Sequence, residues 1–124
     1  MQPNEFISHC LDLLEPLGLP HAKRMFGGYG LYLDGLFVAI VADEQLFLKA
    51  DAPSRVAFEA AGCQPFTYVS RGKVMQMSYW SVPADAMECP ARMRPWARLA
   101  LEAALRARTA KAAAPRRRRA AARP

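Results

Sequence analysis

Few sets of residues in this chain have the type and spacing to do chemistry, and the densest is Arg24-Met25-Phe26-Gly27-Gly28-Tyr29-Gly30, which runs on through Tyr32 to Asp34-Gly35. Glycines this close together suit either a phosphate cradle or tight backbone geometry. A dinucleotide site needs Gly-x-Gly-x-x-Gly at the start of a helix, but here Leu33 stands where the third glycine belongs and the stretch leads into a strand. Gly72-Lys73 fails as a phosphate loop as well, with Thr67 in place of its first glycine and Val74 in place of the Ser or Thr that would hold magnesium. The glycines therefore read as positions of positive φ or close backbone approach. Asp34-Gly35 reads as a two-residue hairpin turn.

The remaining candidates are sparser. His9 and His21 are the two histidines, and no Cys or His pair has the short spacing of a zinc site; neither metal nor cofactor is expected. Cys10 falls on an apolar helical stripe, where a thiol is a small core residue lacking the lowered pKa a nucleophile needs. Asp43-Glu44 sits in a turn, and Asp85 with Glu88 lies where a helix N-terminus favours negative charge. No Ser, His and Asp arrangement can be drawn. No catalytic residue is assigned and the chain reads as a non-enzyme, the rival being a small-molecule binder or enzyme with a pocket near Arg24 and Tyr29.

Periodicity supplies the elements that would carry these residues. Phe6, Ile7, Cys10, Leu13, Leu14 and Leu17 line one stripe of a helix entered near Pro3-Asn4 and broken around Pro16. Met25 to Leu33, Leu36 to Ala42 and Gln45 to Ala50 are short and apolar, with turn pairs between them, as in a three-stranded meander. Asp51 is a suitable N-cap for a helix from about Pro53 to Ala61, and Gly62 a left-handed stop. Pro65 to Ser70 and Lys73 to Trp80 form a second hairpin about Arg71-Gly72. Met93, Trp96, Ala97, Ala100, Leu101, Ala104 and Leu105 trace a last helical stripe, in which Pro95 is tolerable in the first turn or at a kink. The expected fold is α+β and two-layered, an antiparallel five-stranded sheet with helices in the order α-β-β-β-α-β-β-α.

With 124 residues the chain has room for one domain. Its net charge of +6 is unevenly placed: residues 1 to 105 hold nine Lys and Arg against eleven Asp and Glu, and the remaining residues hold eight basic groups and no acid. The expected division is a folded domain over 1–107 and a disordered Ala, Arg and Pro tail over 108–124, which has no large apolar group to bury. Three widely spaced cysteines, no long apolar run and no signal-like N-terminus point to a reduced, cytoplasmic protein without a membrane segment.

Several segments in consistent order resemble the N-terminal domain of the TfoX/Sxy family of bacterial competence regulators. They are Arg24 to Gly35, Phe58-Glu-Ala-Ala-Gly62, Pro65-Phe-Thr-Tyr68, Met77-Ser-Tyr79 and Pro95-Trp-Ala-Arg-Leu-Ala100. The resemblance implies a two-layer α+β fold, no catalytic residue, and positive regulation of competence genes in concert with a cyclic-AMP-responsive transcription activator. The family's founding members carry a second, helical C-terminal domain, where this sequence has its basic tail.

Two surfaces are expected to meet partners. Tyr29, Tyr32, Tyr68, Tyr79 and Trp80 lie on strands of which one face is open to the absence of helix cover, so that rings there either contact a protein or a base, or pair across strands within the core. Tyr32, Tyr68 and Tyr79 are taken as the surface for a transcription-related protein. Lys111, Arg116, Arg117, Arg118, Arg119 and Arg123 in the tail would attract DNA or RNA phosphates without regard to sequence, or serve solubility alone.

Overall fold

The computed structural model describes residues 3–25 and 27–122, with side chains described for 5–25 and 27–110. Three helices, α1 (Pro3–Leu14), α2 (Ala52–Ala60) and α3 (Pro90–Ala122), accompany six strands: β1 (Pro20–Met25), β2 (Gly28–Leu33), β3 (Leu36–Ala42), β4 (Gln45–Lys49), β5 (Pro65–Ser70) and β6 (Lys73–Ser81). The strands form one antiparallel sheet in the order β1-β2-β3-β4-β6-β5. The fold is thus α+β as expected, but the sheet has six strands and not five.

The extra strand is β1. Its sequence, Pro-His-Ala-Lys-Arg-Met, has neither an apolar run nor clean alternation, and no residue of it is fully buried. It is an edge strand held by backbone pairing to β2 from Pro20↔Leu33 to Met25↔Gly28, and proline and charge are what protected edges carry. Gly27 makes the turn between the two strands with φ 75°.

All three helices cover one face. α3 crosses β3 and β4, α1 packs on α3 beside β1, and α2 lies against α3 and β6. Leu31 and Leu33, Ala39 and Val41, Leu46 and Leu48, and Trp80 point toward them and meet Leu13, Leu14, Phe58, Met93 and Ala97. A bulge in the β2–β3 pairing, between Leu31↔Ala39 and Tyr32↔Phe37, leaves Val38 extra and also buried. The small residues Ala97, Ala100 and Ala104 let α3 lie close to the sheet.

The helix ends follow local chemistry. Asp51 caps α2, accepting from the Ser54 amide at 3.3 Å while Ser54 Oγ accepts from the Asp51 amide at 3.0 Å. Gly62 continues the chain at φ 79°. α3 starts at Pro90, so Pro95 lies beyond the first turn, where its missing N–H leaves the Ala91 carbonyl without its usual donor. The helix is continuous to Ala122. The tail residues Lys111, Arg116, Arg117, Arg118, Arg119 and Arg123 have side chains outside the described residues, as does Phe26 of the glycine-rich motif. The division at 107 therefore stays an expectation from composition.

Candidate functional site

The face of the sheet opposite the helices carries a layer of aromatic rings. Strand alternation and the register place His21, Lys23 and Met25 of β1, Tyr32 of β2, Phe37 and Ile40 of β3, and Phe47 and Lys49 of β4 on this face. Tyr79 of β6, opposite Lys49, joins them. Toward the far edge come Phe66 and Tyr68 of β5, with Met75 opposite Tyr68 and Lys73 opposite Ser70.

The rings pack side by side across the strands. His21 and Tyr32 have centroids 6.2 Å apart, Tyr32 and Phe37 stack at 5.1 Å with 22° between planes, and Phe37 meets Tyr79 at 5.7 Å. The Lys49 ammonium lies 5.3 Å from the Tyr79 ring centre and closes that end of the row. A second group, Phe47, Phe66 and Tyr68, continues at 5.0 and 6.5 Å. Tyr79 and Phe47 are buried here without any helix above them, at 5% and 8% exposure, by their neighbours in the same layer. Burial first, and the adjacent Tyr32 second, push the Tyr79 phenol up to about 12, so it stays a neutral hydrogen-bonding group.

Ring orientation decides what this layer can bind. Bases need free ring faces to stack on, whereas here Tyr32 and Phe37 stack on each other, the Lys49 ammonium lies over the Tyr79 ring, and Tyr79 is itself buried. The rings are interspersed with the aliphatic side chains of Met25, Ile40 and Met75, a mixed apolar surface that suits a protein side. Charge adds a second property: no strand contains Asp or Glu, while Lys23, Lys49 and Lys73 stand on the open face. Residues 1 to 105 as a whole carry an excess of acid, so the sheet is a segregated basic region.

The glycine-rich motif builds one side of this face. A Cβ on Gly28 would run into the Val41 carbonyl, and one on Gly30 would lie 2.7 to 2.9 Å from the Met25 thioether and the Phe37 ring. Gly30 thus makes room for Met25 and Phe37 to meet on the open face. Asp34 and Gly35, at φ 49° and 82°, make the β2–β3 turn, and Asp34 Oδ1 accepts from the Leu19 amide at 2.9 Å.

Two aromatics grouped with this surface from the sequence belong elsewhere. Tyr29 faces the helices and packs at the core margin, with the Arg24 guanidinium 5.9 Å over its ring. Trp80 is a core residue, 6% exposed. Arg24 and Tyr29 are therefore adjacent, with the exposed Arg24 guanidinium lying over the Tyr29 ring. Conversely, Phe37, Phe47, Phe66, Lys23, Lys49 and Lys73 are not among the residues expected at this surface from the sequence. Alternation in Phe47-Leu48-Lys49 was a usable signal for β4; for Phe37 the bulge at Val38 breaks the period.

The other chemical candidates have structural explanations. Cys10 is fully buried and desolvation pushes its thiol up to about 12, which removes the thiolate. His9 Nε2 lies 2.6 Å from the Met87 carbonyl and ties α1 to the segment before α3. Among the described residues no group of three or more His, Cys, Asp or Glu is placed to hold a metal ion, and no helix is long and apolar enough to cross a membrane.

A family model described as the TfoX N-terminal domain matches residues 12–104. The DNA transformation protein TfoX1 of Aliivibrio fischeri (strain ATCC 700601 / ES114) is 27% identical over 71 residues, which cover 57% of this chain and 34% of that protein. The matched part thus spans about a third of the curated relative.

Proposed function

Because the chain belongs to the TfoX N-terminal domain family, we propose that it is a bacterial regulatory interaction module of DNA transformation, acting by contact and not by catalysis. Its open sheet face docks a transcription-related protein in the cytoplasm, and the basic tail adds sequence-tolerant attraction to DNA or RNA phosphates. The observation that carries this reading is the helix-free layer of rings from His21 to Tyr79, rimmed by lysines and free of carboxylates along its strands. An apolar patch with a basic rim favours a protein whose matching surface is apolar and acidic. The relative's name, a DNA transformation protein, supplies the process in which that contact would be used.

The test is transformation frequency in a host deleted for the gene and complemented with wild type or with Tyr32→Ser/Lys49→Glu. The double variant alters the rings' edge and reverses the central charge while leaving the helix-side core untouched. The expected result is a drop of tenfold or more in transformants at equal level of folded protein. Wild-type frequency from the double variant would contradict the assignment of the open face.

A further inference from the structure

The hairpin of β5 and β6 reaches past the helices, and it concentrates the exposed apolar surface of the domain. Val69 and Val74 are 71% and 72% exposed, Tyr68 and Met75 44% and 41%. The other large exposed hydrophobics, Leu19, Val56 and Leu105, are scattered singly over the turn before β1 and over α2 and α3. The four hairpin residues form two cross-strand pairs, Val69↔Val74 and Tyr68↔Met75, pointing to opposite faces. The hairpin is therefore apolar on both sides at once.

The two edges of the sheet are built differently. β1 carries Pro20, Lys23 and Arg24, which oppose the addition of another strand. β5 reads Pro-Phe-Thr-Tyr-Val-Ser, with its proline at the first position and no charge. Beyond the irregularity between Pro65 and Thr67, it pairs regularly with β6 from Thr67 to Ser70. Among the described residues, no strand pairs with its outer side.

We infer that β5 pairs antiparallel with β5 of a second copy of this chain, joining two six-stranded sheets across a two-fold axis near Tyr68 and Val69. Three features select a second copy over a different protein. An antiparallel edge is its own complement, so each copy supplies the strand the other needs and extends both faces of the hairpin together. Pairing at this edge satisfies the outer backbone groups of β5 and brings Tyr68 and Val69 beside their counterparts in the second copy, so that the apolar ribbon becomes four strands wide.

Charge is the third feature. The hairpin's charged groups, Arg71 and Lys73, stand at its tip, and the two-fold axis sends the two tips in opposite directions, roughly 15 Å apart and beyond the screening length at physiological salt. Each tip then runs toward the other copy's Pro65 end, where residues 60 to 70 carry no charged group to repel it. The dimer lays two open aromatic faces side by side in one continuous sheet, and it stands independently of which protein docks there.

Sedimentation velocity on the full chain from about 1 to 500 μM tests this pairing. The mass is expected to rise from 13.8 kDa to twice that value with concentration. Val69→Lys, a change at a mostly exposed side chain that places like charges beside the axis, should stay at the monomer mass with an unchanged melting temperature. Val56→Lys, on α2, should dimerise as wild type does. A monomer mass for wild type throughout, or dimerisation of Val69→Lys at wild-type strength, would overturn the proposal.

Discussion

Gly28 shows how a single position ties the motif to the fold. Its backbone lies so close to the Val41 carbonyl that any side chain collides with main chain, and main chain in the middle of a sheet cannot step aside. Gly28→Val is expected to destabilise the domain by about 1 to 3 kcal/mol; an unchanged urea midpoint would count against the close approach. Asp51 is a second informative residue, since it caps α2 and also receives the Arg106 guanidinium at 2.6 and 2.9 Å. The Arg106 hydrogen bond, with help from Ser54, holds its carboxyl down at about 2 against an ordinary 3.8. The folded pKa lies below the unfolded one, so this stabilisation is complete above about pH 4 and is lost as pH falls from there toward 2. Asp51→Asn should flatten that part of the acid-unfolding curve, and an acid limb identical to wild type would contradict the pairing.

At the level of elements, α2 is fastened by one large side chain: Phe58 is fully buried and meets Trp96 of α3 at 5.2 Å. Truncating it to alanine is expected to cost about 3 to 5 kcal/mol, as for other fully buried aromatics, and chemical denaturation measures it directly. A loss below about 1 kcal/mol would mean that α2 is held by its cap alone. Elements of this kind were legible in the sequence because burial writes periodicity into it. The α1 stripe, the Asp51 cap, the Gly62 stop and the Arg71-Gly72 turn all fall where spacing and turn chemistry put them. β1 escaped because an edge strand is held by backbone bonds, which leave little trace in side-chain pattern. The open face was half legible for a related reason. Tyr32, Tyr68 and Tyr79 alternate with core residues, but Phe37 is displaced by the bulge, and which face the helices cover is a property of packing.

For the molecule as a whole, charge is divided among three places: acids in α1, the short helices and the turns, a sheet with lysines and no carboxylates, and a basic tail. That division separates two kinds of binding. If six tail charges meet phosphates on a duplex, log affinity should fall against log salt with a slope of about −5. A protein docking on the ring layer should respond far less steeply, because its contact is mainly apolar. Fluorescence anisotropy of duplex DNA across a salt series reads the first directly, and a slope near zero would remove the tail from the account. The open face itself is best tested by titrating the isotope-labelled chain with a purified cyclic-AMP-responsive transcription activator, the partner the family resemblance implies, and following amide shifts. Perturbations are expected to centre on Tyr32, Phe37, Lys49, Tyr68 and Tyr79, with α1 and α3 unmoved. Shifts confined to the helices, or none at saturating activator, would contradict docking at the open face.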